Sequence, residues 1–269
     1  MQRNPQMNNR LNNSQQKKRR SKKKRQTQNK KIAHLGDFLL NFLSGLLYNG
    51  REMKLDSVGV LINLRPFGER DCVAHVFTRD FGVMCGVMRG AQVARKNRPL
   101  IGQIGDVSWN ARLDSQLGAF HWESEKNLAA PLMMRHETLS YMNATFALVD
   151  ALLPEREQFC TLYNETIELM RELNGNNPKQ AYLVWEISLL RELGYALNLT
   201  ACSGCGTCEN LMYLSPRTGR AVCEKCAAPY IEKLYKLPLD LSVTGAFLER
   251  ACAAQGVDLP CARKKLKIW

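Results

Sequence analysis

CSGCGTCENLMYLSPRTGRAVCEKC, residues Cys202–Cys226, holds two Cys-x-x-Cys pairs, Cys202/Cys205 and Cys223/Cys226, separated by seventeen residues. Each pair suits a tight knuckle whose two thiolates face one point, and two knuckles supply four sulfurs, the donor set of a closed tetrahedral zinc site. Gly206 after Cys205 fits the tight turn of such a knuckle. Cys208 follows Cys205 by three, so a Cys205/Cys208 register stays open. Leu211–Leu214 reads as a short strand, Gly219 as a turn residue, and Ala221-Val222 as the return strand, giving a zinc-ribbon hairpin. With four thiolates filling the shell, the metal is expected to be structural, because a catalytic zinc keeps an open position. A thiol-redox site would need only one such pair, here Cys202/Cys205.

Working outward, the 269 residues allow two modest domains with real cores. Ten cysteines with no secretory context point to a reducing cytoplasm. The net charge of +13 is uneven. Residues 1–52 carry thirteen Lys/Arg against two Asp/Glu, and the remainder carries 25 against 23. Met1–Lys31 is Asn, Gln, Lys and Arg with too little apolar content to fold. Its basic runs can contact phosphates nonspecifically, or Met53 is the true start. Ile32–Tyr48 reads as a short amphipathic helix, too short and interrupted to span a bilayer and too deep for a signal peptide. No membrane association is expected.

Residues 53–131 change character. Ser57–Leu64, Cys72–Thr78, Val83–Arg89, Asp106–Leu113 and Phe120–Glu125 read as five strands with turn signals at roughly ten-residue spacing, the pattern of an OB-fold barrel. Such barrels bind single strands by stacking bases on aromatics in a cationic groove. The candidate contacts are Arg65, Arg70, Arg79, Arg89, Arg95, Lys96, Arg98 and Arg112, with Phe67, Phe81 and Trp109 as aromatics. The stretch Arg89–Arg98 carries four cations and no acid. Each aromatic taken alone is more often core.

Residues 132–269 read as helical: Leu132–Leu153, Glu157–Leu173, Pro178–Leu193 closed by Gly194, and Ser242–Gln255 with Ser242 as N-cap and Gly256 beyond. Pro178–Leu193 is apolar on more than one face and is expected to be the central buried helix. Tyr235–Leu241 reads as a linker, and the chain closes on a basic run from Arg263. The fold class is therefore α+β multidomain, an N-terminal five-stranded OB-fold barrel followed by an α-helical domain with an inserted four-Cys zinc hairpin. No phosphate-binding Gly loop, nucleophilic pairing or paired catalytic carboxylates is present in the sequence. His34, His75, His121 and His136 are isolated and read as ordinary satisfied histidines.

GERDCVAHVFTRDFG (Gly68–Gly82), VMRGA (Val87–Ala91), ARLDSQLGAF (Ala111–Phe120), LLPERE (Leu152–Glu157), LRELGY (Leu190–Tyr195) and LSPRTGRAVC (Leu214–Cys223) together resemble the RecO family of bacterial DNA repair and recombination proteins, in an alphaproteobacterial-type version, from Met53 to about Arg263. The resemblance implies binding of single- and double-stranded DNA and annealing of complementary strands. It also implies contact with the C-terminal tail of single-stranded DNA-binding protein, and loading of RecA with RecR and often RecF. It implies no enzymatic activity, no small-molecule substrate, and a cytoplasmic, nucleoid-associated protein. Two departures stand out: the basic extension lies outside the family pattern, and the chain stops soon after Pro260. A zinc-ribbon nucleic-acid-binding scaffold in transcription or translation, touching its ligand through Arg217 and Arg220, is the alternative.

Overall fold

The computed structural model describes residues 53–96, 98–111 and 117–266. The expectations for residues 1–52, and for Arg112, lie outside them. Five strands, β1 (Met53–Phe67), β2 (Asp71–Thr78), β3 (Gly82–Met88), β4 (Gln103–Ala111) and β5 (Gly118–Asn127), close into a barrel of order β1-β2-β3-β5-β4. The β3–β5 pair is parallel and the other pairs are antiparallel.

Strand β1 runs 15 residues, longer than Ser57–Leu64, because its ends carry polar residues that the apolar pattern alone excludes. That length closes the barrel. The first half of β1 pairs with β4 (Met53↔Ala111 to Val60↔Ile104), and the second half pairs with β2 (Gly59↔Thr78 to Phe67↔Asp71). The fourth strand begins earlier than the sequence suggests, at Gln103, and ends at Ala111.

Alternation along β1 splits its apolar residues between two cores. Leu61 points into the barrel with Val76, Met84, Val107, Trp109 and Phe120. Val60 and Ile62, with Phe77 and Val83 from the neighbouring strands, point outward into the helical core. Burying both faces in this way fixes the register, since a one-residue slip would exchange the two sets. At the β2–β3 turn, Gly82 has φ +63, and a Cβ there would fall 1.7 Å from the Glu157 carbonyl oxygen, so only glycine lets the turn meet the segment after the first helix.

The helices are α1 (His136–Leu152), α2 (Cys160–Glu172) and α3 (Pro178–Glu192), with α4 (Glu224–Ala227), α5 (Leu241–Ala254) and α6 (Cys261–Lys265) further along. A separate 3-10 turn, Ala130–Met134, precedes α1, where the sequence reads one continuous helix from Leu132. Helix α3 is buried on several faces through Tyr182, Trp185, Leu189 and Leu190, and also Glu186. Tyr182 stacks between Tyr141 and Trp185 at 4.9 and 6.0 Å. The N-cap of α5 is Asp240, not Ser242: its Oδ1 accepts the N–H groups of Ser242 (2.9 Å) and Val243 (3.0 Å).

Between α3 and α5 lies a small sheet of β6 (Leu211–Leu214), β7 (Ala221–Cys223) and β8 (Tyr235–Lys236), in order β7-β6-β8. The expected linker thus contributes a third strand to the hairpin. Leu214 sits in the main core, and Asn198 clamps the hairpin by accepting the Ala221 N–H and donating to the Gly219 carbonyl, both at 2.8 Å.

The basic end of the chain also departs from its sequence appearance. Arg263 is fully buried and paired with the equally buried Glu186 of α3. Its Nη2 donates to Glu186 Oε2 (3.0 Å) and to the Leu241 carbonyl (2.6 Å), while the Thr244 hydroxyl donates to the same carboxylate. This network holds α6 against α3 and α5. Among the described residues, no helix is long and apolar enough to cross a membrane.

Candidate nucleic-acid interface and metal centre

The β1–β2 turn and the root of the β3–β4 loop meet at one end of the barrel, because Cys72 pairs with Met88 and Phe67 with Asp71. Gln92 ties them together. Its side-chain amide donates to the Asp71 carbonyl (2.6 Å) and the Gly68 carbonyl (3.1 Å), and its backbone N–H donates to the Arg70 carbonyl (3.0 Å). Asp71 Oδ1 accepts the Gly90 N–H at 2.7 Å, and the Gly90 carbonyl in turn accepts from Val93 and Ala94. The loop therefore leaves the barrel on a pinned base, and Arg65, Arg70, Arg89, Arg95, Lys96 and Arg98 are all exposed around it. Phe67 stands among them with 53% of its surface exposed.

Three candidates are not part of this group, among them Phe81, which lies on the β2–β3 turn partly buried against the barrel core. Arg79 is on the β2–β3 turn at the other end of β2, seven residues from Cys72, which is roughly 23 Å at strand spacing. It donates from Nε and Nη2 to Asp80 at 3.1 and 3.2 Å, and its surroundings include Asp56, Asp106 and Glu123. Its charge is largely matched there. Trp109 is buried inside the barrel, with its indole N–H on the Cys85 carbonyl at 3.0 Å. The alternation Val107-Trp109-Ala111, all on the buried face of β4, is the sequence signal that would have placed it inside.

The sequence reading passed over the seam between barrel and helices. Asn63, His75 and Cys85 lie side by side in one row across β1, β2 and β3. Asp150 of α1 caps the row, bonded to His75 Nδ1 and accepting from the Asn63 amide at 2.7 Å. The hydrogen bond to Asp150, then the one to Cys85, pushes the His75 pKa up to about 10. Burial raises the Asp150 carboxyl, but the hydrogen bonds of His75 and Asn63, with the charges of His75 and Arg65, hold it below its ordinary value. His75 is thus a satisfied histidine, and its partner is an ion across the seam.

In the hairpin, the sulfurs of Cys202, Cys205, Cys223 and Cys226 all lie within 4.8 Å of one another. Cys205 and Cys223 are 3.7 Å apart, so they are not a disulfide. Cys208 stands exposed and outside the cluster. The first knuckle turns through Gly206 at φ +78, with the Gly206 N–H on the Cys202 carbonyl (3.0 Å) and the Cys202 N–H on the Thr207 carbonyl (2.7 Å). Cys202 Sγ accepts the backbone N–H groups of Gly204 and Cys223, each at 3.3 Å. Those backbone donors, led by Cys223, lower the Cys202 thiol to about 6, while Cys226, bonded to Cys205 first and then to Cys223 and Cys202, is pushed up to about 12. Four thiolates cannot share so small a space without a cation between them, so the donor set fits a metal ion.

Two family models match the chain. "Recombination protein O N terminal" covers residues 53–124 and "Recombination protein O C terminal" covers residues 135–238. DNA repair protein RecO of Cereibacter sphaeroides (strain ATCC 17025) is 37% identical over 231 residues, covering 77% of this chain and 94% of that protein. The RecO proteins of Jannaschia sp. (35% identical; 77% of this chain, 92% of the relative) and Roseobacter denitrificans (40%; 67% and 76%) are similar along most of their length.

Proposed function

The chain belongs to the RecO family of DNA repair and recombination proteins, and we propose that it acts there as a non-enzymatic mediator that binds single- and double-stranded DNA, anneals complementary strands and, with RecR and often RecF, helps load RecA onto DNA coated by single-stranded DNA-binding protein. The observation that carries this reading is the cationic end of the barrel: five exposed Lys/Arg from two loops joined through Gln92, with Arg65 and an exposed phenylalanine at the end of β1. Annealing brings two polyanions together, so cations must screen both. Each phosphate neutralised there releases counterions, which gives affinity that falls with salt. The Phe67 ring offers a face on which a base stacks, a contact worth about 1–3 kcal/mol. The β2–β3 turn, where carboxylates surround Arg79, repels phosphates and leaves the loop end as the approach.

In this reading Cys202, Cys205, Cys223 and Cys226 hold a structural zinc ion. Bound there, the ion supplies cross-linking of the two knuckles, and the chain's residues do the rest by seating Leu214 in the helical core. The helical domain receives the acidic tail of single-stranded DNA-binding protein. The protein works in the cytoplasm, at the nucleoid.

The test is annealing of complementary oligonucleotides coated with single-stranded DNA-binding protein, intact or lacking its tail, together with the salt dependence of single-strand binding. Arg89→Gln/Arg95→Gln/Lys96→Gln in the full chain is expected to slow annealing and to flatten the plot of log K against log salt by about 2 for a single strand. Arg79→Gln, already neutralised by Asp80, is expected to leave that slope unchanged. Annealing and slope unaltered by the triple substitution would refute the reading.

A further inference from the structure

Beside the zinc hairpin lies a groove of about 790 Å³. Its cations come from three separate segments: Arg217 from the hairpin tip, Lys233 from the turn after α4, and Arg250 from α5. No carboxylate lines it among the described residues. Arg250 is held in place by its guanidinium, which bonds to the Pro216 carbonyl and lies over the Phe247 ring at 5.1 Å. The floor is apolar, with Val222 and Leu234, and Tyr230 stands at the rim with 60% of its surface exposed.

We infer that this groove is a second nucleic-acid contact, holding a short segment of single strand with phosphates on Arg217, Lys233 and Arg250 and a base on the Tyr230 ring. Three cations in a groove that no carboxylate lines favour an anionic ligand. An exposed aromatic beside them is the arrangement that sequence-tolerant strand binding uses. The inference rests on the DNA-binding reading above and adds a second strand position, carried by the helical domain, to the one at the barrel. One chain would then hold two strands at once, as annealing requires.

The experiment titrates the full-length, metal-loaded protein into fluorescein-labelled oligo-dT over a series of salt concentrations. Arg217 and Lys233 are exposed, so Arg217→Gln/Lys233→Gln is expected to keep its metal content and melting temperature, and to flatten the salt slope by about 1.4. Tyr230→Ala is expected to weaken binding by about fivefold or more at an unchanged slope, the fold-change of one lost base stack. An unchanged slope with Tyr230→Ala within about twofold of the parent overturns the inference. So does an acidic, Phe-containing peptide whose binding is lost in Arg217→Gln/Lys233→Gln while oligo-dT binding is not, which would make the groove a peptide site. If only the barrel substitutions change the slope, this inference fails alone. If the parent does not bind oligo-dT, the DNA-binding reading falls with it.

Discussion

Replacing Arg263 with Met leaves the Glu186 carboxyl buried in the helical core without its cationic partner. The residue is fully buried and lies 77 positions from its partner in sequence. The substitution removes both guanidinium contacts to Glu186 and the donor to the Leu241 carbonyl, while the Thr244 hydroxyl still donates to the carboxylate. Breaking a buried ion pair from one side costs roughly 3–5 kcal/mol. With a urea m-value of about 2–3 kcal/mol/M, the midpoint is expected to fall by about 1–2 M. Equilibrium urea unfolding of the full chain, followed by far-UV circular dichroism and by the fluorescence of buried Trp185, reads the change. The companion Glu186→Met/Arg263→Met, which removes both charges, is expected to recover most of the loss, because apolar replacement of a whole buried pair is often close to neutral. A single Arg263→Met that shifts the midpoint by less than about 0.3 M, or a double variant as unstable as the single, would refute the account of α6 as held by this pair.

Two further outcomes follow from the centres described above. Cys223→Ser removes one donor from the four-sulfur cluster, and metal content is expected to fall together with the melting temperature, by roughly 10 °C if about 3 kcal/mol is lost at this chain length. DNA binding measured well below the lowered transition is expected to persist, and a folded Cys223→Ser protein that loses only DNA binding would sink the structural role. For the seam, the folded-state pKa of His75 is raised to about 10, so its contribution is fully present below its ordinary value of 6.5 and is lost as pH rises from there towards 10. Asp150 is lowered, so its contribution is present above its ordinary value and is lost on acidification. The melting temperature of the parent relative to His75→Gln is therefore expected to shrink between pH 6.5 and 10, and parallel pH profiles for the two proteins would refute the pairing.

The parts of the molecule that were legible in sequence are those written locally. Strand number follows from turn residues at regular spacing, and the knuckles follow from Cys-x-x-Cys with glycine behind. Helix α3 follows from apolar residues on more than one face. The misses are long-range. Ser242 and Asp240 are both good caps two positions apart, and only the chain's path makes Asp240 the one whose oxygen meets the free N–H groups. Arg79 looks like the other barrel arginines in a list of charges, and only strand register puts it at the far end. Arg263 sits in a run of lysines and has no local mark of burial, since its partner lies on another helix. The groove by the hairpin drew its cations from segments that no window of sequence reads together.

The outward face of the barrel carries one more consequence. Val60, Ile62, Phe77 and Val83 are buried in the helical core, with Phe77 meeting Tyr163 of α2 edge to face at 5.5 Å. Cut free at residue 127, the five strands would present this apolar strip to water as an adhesive side wall. The barrel is thus not a detachable cassette: any transplant or truncation has to bring the first helices along as its coat, or it trades a folded unit for a self-associating one.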